Sequence, residues 1–301
     1  MKKLIVIVGP TAVGKTALAV ALAGRLKTEI ISADSRQVYR EMTIGTAKPS
    51  AVEQAGVPHH FIDSHSIHQP LDAATFGESA RACLKKLFQD HDAVIVCGGS
   101  GLYVQALLQG FDEMPNVPPA LRQSIVESYH AHGLTWLQQQ VQQHDPVFFQ
   151  QVDRQNPQRL MRALELLQVT RQPLDQLRKG ETVALPCEQI KIGLELPRPV
   201  LYERINQRVE AMLEQGLWRE AETLYAFRDK TPLQTVGYQE IFAAMDGTID
   251  GQTAVELIKR NTRRYAKRQL TWFKRDAAIR WFDAHDHDTI FAWVSSKLHP
   301  I

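Results

Sequence analysis

The residues best suited to chemistry lie near the start of the chain, in the stretch GPTAVGKT from Gly9 to Thr16. Its spacing, G-x-x-x-x-G-K-[ST], is that of a P-loop, in which backbone N–H groups, a lysine and a hydroxyl surround a phosphate. The Thr16 hydroxyl is suited to ligate Mg²⁺. The alternative is a glycine-rich turn between strand and helix that holds no ligand. The motif predicts a phosphate or diphosphate site made by Gly9, Pro10, Thr11, Ala12, Val13, Gly14, Lys15 and Thr16.

Two more polar stretches follow short apolar runs. Asp34 comes directly after EIISA, and Gly98-Gly99-Ser100-Gly101 comes directly after AVIVC. Because α/β proteins bind ligands at the carboxyl ends of their strands, both stretches are expected to face the P-loop. Asp34 is a candidate general base, or a water-mediated Mg²⁺ ligand; the alternative is an aspartate that only caps a turn. For the glycine-rich stretch, the alternative is a tight turn without a ligand.

Basic residues are concentrated late in the chain. Residues 259–275 contain eight Lys or Arg and no acidic residue, and three aromatic side chains are interleaved with them. This pattern favours contacts with nucleic-acid phosphates over a merely solvated face. Arg159 and Arg162 lie three apart on a predicted helix. Arg204 and Arg208 share a helix face, and one of them could reach an anion unless both form surface ion pairs.

The elements that must position these residues alternate between strand and helix over the first hundred residues. This alternation predicts a parallel sheet covered by helices. The strands are predicted at Leu4–Val8, Glu29–Ala33 and Ala93–Cys97, and the helices at Ala17–Leu26 and Thr75–Gln89, with His59 and His60 in a loop. Ala120–Leu177 is then predicted to be helical, Gln189–Leu196 to return to the sheet, Gly251–Arg275 to form a long helix and Ile279–Phe282 a last strand.

The predicted fold is therefore of the α/β class, a P-loop parallel-sheet core with helices on both faces plus an all-helical insertion domain. We expect residues 1–114 to form the first part of the core and 115–186 the insertion. Residues 187–301 would complete the core and end in the basic helix.

Composition narrows the classes of protein. The chain has 301 residues, 44% hydrophobic and 23% charged, with a net charge of +2, so any nucleic-acid footprint must be local. Its three cysteines form no C-x-x-C pair, which argues against a zinc site or a disulfide framework. The first apolar run is short and enters the P-loop, so it predicts a strand rather than a signal peptide. We expect a cytoplasmic protein, without a membrane segment and monomeric.

Several stretches together resemble bacterial tRNA dimethylallyltransferases, also called tRNA isopentenyltransferases. The motifs are GPTAVGKT at 9–16, ADSRQVYR at 33–40, GGSGLYVQALLQG at 98–110, NPQRLMRALE at 156–165 and TRRYAKRQLTWFK at 262–274. The likeness covers almost the whole chain. It implies transfer of a dimethylallyl group from dimethylallyl diphosphate to N6 of the adenosine just 3′ of the anticodon in tRNA, with Mg²⁺ as cofactor. The chain lacks the Cys/His spacing of the zinc finger that eukaryotic relatives often add, which favours the bacterial form.

The resemblance also implies roles for single residues. Asp34 would accept the N6 proton, Arg208 would help Lys15 stabilise the leaving diphosphate, and Ser100 stands where the family usually has Thr. The tRNA contacts implied are Asp34, Ser35, Arg36, Gln37, Ser100, Arg122, Gln158, Arg159, Leu160, Met161, Arg162, Val236, Gly237, Tyr238, Gln239, Glu240, Lys267, Arg268, Gln269, Leu270, Thr271, Trp272, Phe273 and Lys274.

Three other functions compete with this one. A small-molecule kinase would use the P-loop for ATP phosphates, but it needs no basic helix near its end. An adenylate isopentenyltransferase would prenylate free AMP or ATP and would need no RNA-gripping insertion. A non-catalytic tRNA-binding module would not depend on Asp34 for any reaction.

Overall fold

The computed structural model describes residues 1–112, 114–177 and 183–298, and it divides the chain into two compact units. The core unit comprises Met1–Gln109 and Ala184–Ile301, and the insertion unit comprises Gly110–Val183. The three predicted segments also include Glu113, 178–182 and 299–301, which lie outside the described residues.

The core unit is built on a six-stranded parallel sheet in the order β3-β2-β4-β1-β5-β6. The strands are β1 Lys3–Val8, β2 Ile30–Ser32, β3 His59–His60, β4 Ala93–Gly98, β5 Glu188–Glu195 and β6 Arg280–Asp283. β1 lies between β4 and β5, with Val8 opposite Gly98 and Gly193. The P-loop therefore leaves the middle of the sheet, where ligands of such folds bind.

Helices cover both faces of this sheet. Leu4, Val6 and Val8 pack into one apolar cluster, while Ile5 and Ile7 pack into another on the opposite face. A parallel strand buried on both faces reads as a continuous apolar run, as LIVIV does. The predicted α/β fold with its parallel sheet is thus confirmed.

The helices are α1 Lys15–Leu26, α2 Ala51–Gln54, α3 Ala73–Asp90, α4 Gly101–Gln109, α5 Pro119–His144, α6 Pro146–Gln151, α7 Pro157–Thr170, α8 Leu174–Leu177, α9 Arg198–Glu214, α10 Leu217–Leu224, α11 Tyr238–Met245, α12 Gly251–Phe273 and α13 His287–Leu298. In its described residues, the insertion unit contains α5 to α8 and no strand. These helices share their own apolar core, which includes Leu137, Leu160 and Leu164. α5 is interrupted at Gly133, whose φ of 73° is not helical.

One prediction of local structure is wrong. His59 and His60 form the short edge strand β3 rather than a loop, because their backbone pairs with Ile30 and Ile31 of β2. Within the described parts of the chain, no helix has the length and apolar character needed to cross a bilayer.

Candidate active site

Three loops at the carboxyl ends of β1, β2 and β4 open into one cavity of about 1600 Å³ in the core unit. They are the P-loop, the turn at Asp34–Gln37 and the turn at Gly98–Gly99. Helices α9 and α12 supply the facing wall, which includes Arg208, Tyr265, Arg268 and Gln269. The structure therefore brings together the P-loop, Asp34 and Arg208.

The P-loop is shaped by its two glycines. Gly9 has a φ of +150°, and a Cβ there would lie 2.6 Å from the Leu194 carbonyl oxygen. Gly14 has a φ of +108° and immediately precedes α1. A side chain at either position would strain the backbone. The twelve residues of α1 then direct its N-terminus at the cavity, where helix N–H groups attract anions.

Lys15 is the cation at the bottom of this cavity. Its Nζ donates a hydrogen bond to the Pro10 carbonyl at 2.7 Å. Burial lowers the pKa of Lys15 to about 8; Cys97 and Asp34 oppose this shift, and Arg208 adds to it. A diphosphate beside Nζ would raise this pKa again, because opposite charges favour the charged form of an amine.

Asp34 uses one carboxylate oxygen to build its own turn. Its Oδ1 accepts hydrogen bonds from Arg36 N at 2.9 Å and Gln37 N at 3.3 Å. Both the turn and the chemical interpretation made from the sequence are compatible with this geometry. Among the described residues, none donates a hydrogen bond to Oδ2, so it is the oxygen that a substrate proton could reach.

Ser100 ties the turn after β4 to the turn after β2. Its Oγ accepts a hydrogen bond from Ser35 N at 2.9 Å and donates one to Ser35 Oγ at 3.1 Å. Tyr265 of α12 lies beside this pair: burial raises its pKa to about 12, as does the Asp34 charge, while a hydrogen bond with Ser100 lowers it. Tyr265 is therefore a neutral phenol at the cavity wall.

Arg208 reaches the cavity from α9. More than a third of its surface remains accessible, yet its guanidinium is recessed enough that burial lowers its pKa, with Glu53 opposing and Arg204 adding to the shift. Arg204 is more remote from the cavity and directs Nη1 at the Val13 carbonyl at 3.4 Å. Of the two arginines, Arg208 is the one that can meet an anion in the cavity.

Glu220 was not singled out by the sequence, although it holds one wall of the cavity. Its two oxygens accept hydrogen bonds from the backbone N–H groups of Thr43, Ile44 and Gly45 at 2.8–2.9 Å. Tyr238 donates a fourth at 2.6 Å. Glu220 lies in an ordinary amphipathic helix without a motif, so no local signal could have revealed this role.

Some of the residues predicted to touch tRNA line the cavity, and others are buried. Val236 and Gln239 line the cavity together with Ser35, Arg36 and Gln37. Other members of the set are buried and leave little surface for RNA, although Gly237 and Gln269 also line the cavity: Ser100, Leu160, Met161, Gly237, Tyr238, Glu240, Gln269 and Phe273. The Glu240 carboxylate accepts hydrogen bonds from Gly237 N and Asn261 Nδ2, both at 2.8 Å.

The exposed face of α12 is strongly basic. Its accessible positions recur at helical spacing and continue just past the helix end: Arg260, Arg264, Lys267, Arg268, Thr271, Lys274 and Arg275. We call this set the basic stripe. Within the stripe, Lys274 pairs with Glu195 at 2.8 Å. Outside it, Lys259 pairs with Glu210 and Glu256, and Arg263 donates to Asn206 Oδ1 at 2.7 Å. Trp272 and Leu270 are half-buried.

In the insertion unit, two predicted RNA contacts meet at one acid. Arg122 Nε lies 3.0 Å and Arg162 Nη1 lies 2.9 Å from the carboxylate of Glu165, which is only 5% exposed. Gln158 and Arg159 are exposed on the same helix, α7. Glu165 was also missed by the sequence reasoning, although its spacing of three from Arg162 is a recognisable ion-pair signal.

The oxygen ligands in the cavity fit a magnesium ion that takes only a few of its ligands from the protein. In the described residues, no three His, Cys, Asp or Glu side chains are grouped so that they could hold a metal. The Thr16 hydroxyl and the Asp34 carboxylate nevertheless line one cavity. Mg²⁺ binds in this way when substrate phosphates and water supply most of its ligands.

Comparisons with known proteins identify relatives of this chain. The profile of the IPP transferase family matches residues 37–276, most of the chain. A tRNA dimethylallyltransferase from Cytophaga hutchinsonii is 46% identical over 297 residues, covering 99% of this chain and 98% of that protein. One from Flavobacterium johnsoniae is 45% identical, with 99% of each covered.

Solved structures point the same way. The full-length tRNA isopentenylpyrophosphate transferase from Bacillus halodurans superposes with a TM-score of 0.74 at 38% identity, covering 99% of this chain and 97% of that one. A eukaryotic dimethylallyltransferase acting on tRNA gives 0.78 at 25% identity, covering 98% and 78%. With its sequence, its fold and its glycine-rich loop in agreement, this chain belongs to the IPP transferase family.

Proposed function

We propose that this chain is a tRNA dimethylallyltransferase, which moves the dimethylallyl group of dimethylallyl diphosphate to N6 of the adenosine 3′-adjacent to the anticodon. The observation that carries the proposal is the convergence of the P-loop, Asp34 and Arg208 on one cavity. This is the arrangement that joins a diphosphate site to a proton acceptor. Relatives that align over almost the full chain carry the same activity in their names.

The reaction needs a leaving group and a base. As the allylic C–O bond breaks, its electron pair stays on the diphosphate, and the growing negative charge meets Lys15 and the N-terminus of α1. Arg208, on the same cavity, adds a second cation. The N6 lone pair forms the new C–N bond, and Asp34 Oδ2 accepts the proton that N6 loses.

Ser100 and Tyr265 would keep Asp34 in place. Ser100 joins the turn that carries Asp34 to the end of β4 through Ser35. Tyr265 supports the same hydrogen-bonded group from the side of α12. Because the chemistry depends on atoms held within a fraction of an ångström, such supporting bonds matter as much as the base itself.

A magnesium ion belongs to the same proposal. Thr16 would ligate it, and substrate phosphates and water would supply the other ligands. When bound, the ion would offset charge on the leaving diphosphate.

The RNA contacts are likewise proposed. The basic stripe suits a phosphate backbone, and Arg122, Arg159 and Arg162 give the insertion unit a second cationic surface. The anticodon stem-loop is the proposed substrate, since its adenosine must leave the stack to reach a recessed cavity. We also propose that the protein is a monomer located in the cytoplasm, where tRNA is modified. Its proposed functional segments are the core residues 1–114 and 187–301 and the tRNA-binding insertion 115–186.

The decisive experiment measures the product. Unmodified tRNA, free AMP and free ATP are each incubated with the protein, Mg²⁺ and dimethylallyl diphosphate, and the nucleosides are analysed by mass spectrometry. We expect N6-dimethylallyladenosine from tRNA, at the position after the anticodon. Faster prenylation of AMP or ATP would assign the chain to adenylate prenylation, and ATP hydrolysis or phosphoryl transfer without prenylation would make it a kinase.

A further inference from the structure

One side chain on the basic helix α12 is turned away from the RNA face. Gln269 lies between the exposed Arg268 and the half-buried Leu270, yet it is only 5% exposed. Its Oε1 accepts a hydrogen bond from Thr11 N at 2.8 Å, and its Nε2 donates one to the Gly99 carbonyl at 2.9 Å. One amide therefore joins the P-loop to the turn after β4.

The neighbouring glycines leave space for this contact. A Cβ on Gly99 would lie 2.3 Å from Gln269 Nε2, and one on Gly101 would lie 2.3 Å from Trp272 Nε1. Helix α12 therefore lies directly against the turn after β4. The glycine-rich stretch owes its composition at least partly to this helix, in addition to the cavity beside it.

The contact also divides the P-loop into two halves. The first half is fixed, because Gly9 lies against Leu194 and Thr11 N–H is occupied by Gln269. The second half, from Gly14 to Thr16, begins α1 and lines the cavity together with Thr11 and Ala12. A loop held at one end presents the other end in a set geometry, which is what tight anion binding requires.

We infer that Gln269 is a positioning residue for the diphosphate site and does not contact RNA. The inference rests on the proposed function, because it assigns the P-loop to dimethylallyl diphosphate. Its amide would keep Thr11 and Gly99 in register, so that the rest of the P-loop is preorganised before the substrate arrives. An RNA contact predicts a raised KM for tRNA, whereas a positioning role predicts a raised KM for dimethylallyl diphosphate. The two roles can therefore be separated by kinetics.

The test replaces Gln269 by Met, which keeps the volume and removes both hydrogen bonds, and by Glu, which keeps only the acceptor. KM for dimethylallyl diphosphate and KM for tRNA are measured for each variant, and inorganic diphosphate binding is measured by calorimetry without tRNA. We expect about a tenfold rise in KM for dimethylallyl diphosphate and in the dissociation constant of inorganic diphosphate, equivalent to ~1.4 kcal/mol. KM for tRNA should stay within twofold.

Two controls separate this effect from others. Gln252→Met changes an exposed glutamine on the first turn of the same helix and should leave both KM values unchanged. Lys267→Ala, on the basic stripe, should raise KM for tRNA alone. A rise in KM for tRNA without a change in diphosphate affinity would overturn the inference for Gln269, as would unchanged values in both variants. If instead wild-type protein bound diphosphate but prenylated no tRNA, the proposed function would fail while the positioning role could still be read from calorimetry.

Discussion

The core unit and the insertion unit hold their functional side chains by different means. In the core unit, the carboxylates of Asp34 and Glu220 accept hydrogen bonds from backbone N–H groups of their own or a neighbouring loop. In the insertion unit, the carboxylate of Glu165 accepts from two arginine side chains. The first arrangement fixes the path of a loop, whereas the second fixes the direction of two charges.

This difference matches the role proposed for each unit. Bond making and breaking depend on small distances, so the groups around the cavity need a rigid backbone. Phosphate contacts depend mainly on charge and reach, so flexible guanidinium groups on a helical surface suffice. The buried carboxylate of Glu165 restricts the movement of the Arg122 and Arg162 guanidinium groups, although both arginine side chains remain exposed.

The largest effect is expected when the proposed base in the core unit is replaced. In Asp34→Asn, the amide oxygen can still accept the hydrogen bonds from Arg36 N and Gln37 N, so the turn should persist. Turnover should fall by about 10³-fold, because general bases contribute about 10²–10⁴-fold. Single-turnover kinetics gives the rate, and filter binding should give an unchanged tRNA affinity. Asp90→Asn, at the exposed end of α3, is the control; a loss of less than tenfold in Asp34→Asn would remove Asp34 from the role of base.

A second variant loosens a loop without touching the reacting atoms. Glu220→Gln keeps one acceptor oxygen but loses the one that receives Thr43 N and Ile44 N, so the wall at residues 43–45 should move. We expect kcat/KM to fall about thirtyfold and the free energy of unfolding to drop by about 2 kcal/mol. Glu222→Gln, two residues along α10 and exposed, should change neither. Normal kinetics in Glu220→Gln would show that this wall plays no part in binding either substrate.

The affinities for the two substrates should also respond differently to pH. The free protein holds Lys15 with a pKa of about 8, and a bound diphosphate raises that value, so binding favours the charged amine. Affinity is therefore full below pH 8 and is lost as the pH rises above it, by about tenfold between pH 7 and pH 9. KM for dimethylallyl diphosphate measures this, and Lys15→Arg should remove the dependence. Because arginine stays charged, tRNA affinity should be nearly constant over the same range.

The smallest effect is expected in the insertion unit. Glu165→Gln removes the charge that holds Arg122 and Arg162 together, so tRNA binding should weaken about fivefold while KM for dimethylallyl diphosphate is unchanged. The salt dependence of tRNA binding should become less steep, since fewer phosphates are neutralised. Glu127→Gln, exposed on α5, is the matched control. An equal change in both substrates, or a lowered melting temperature alone, would mean that Glu165 only stabilises the fold.

The sheet, the P-loop and the position of Asp34 facing the P-loop could be predicted from the sequence because each has a local signal. A buried parallel strand is a continuous apolar run, and the P-loop spacing follows from the need for φ above zero at Gly14. Gln269 and Glu220 could not be assigned in this way, because their partners lie 258 and 175 residues away and such contacts are set by tertiary packing. Glu165 has a local signal toward Arg162, but its second partner, Arg122, lies 43 residues away.

The position of β1 has a consequence for how the molecule opens. All six residues of this strand are buried, and it is paired on both sides, with β4 and with β5. Its amide protons should therefore exchange with solvent only in global unfolding, while β2, three residues long and followed only by the two-residue edge strand β3, should exchange through smaller local openings. Such an opening would carry Asp34 away while the phosphate loop stayed formed. The protein would then pass through a state that keeps the proposed diphosphate site but has lost the proposed base.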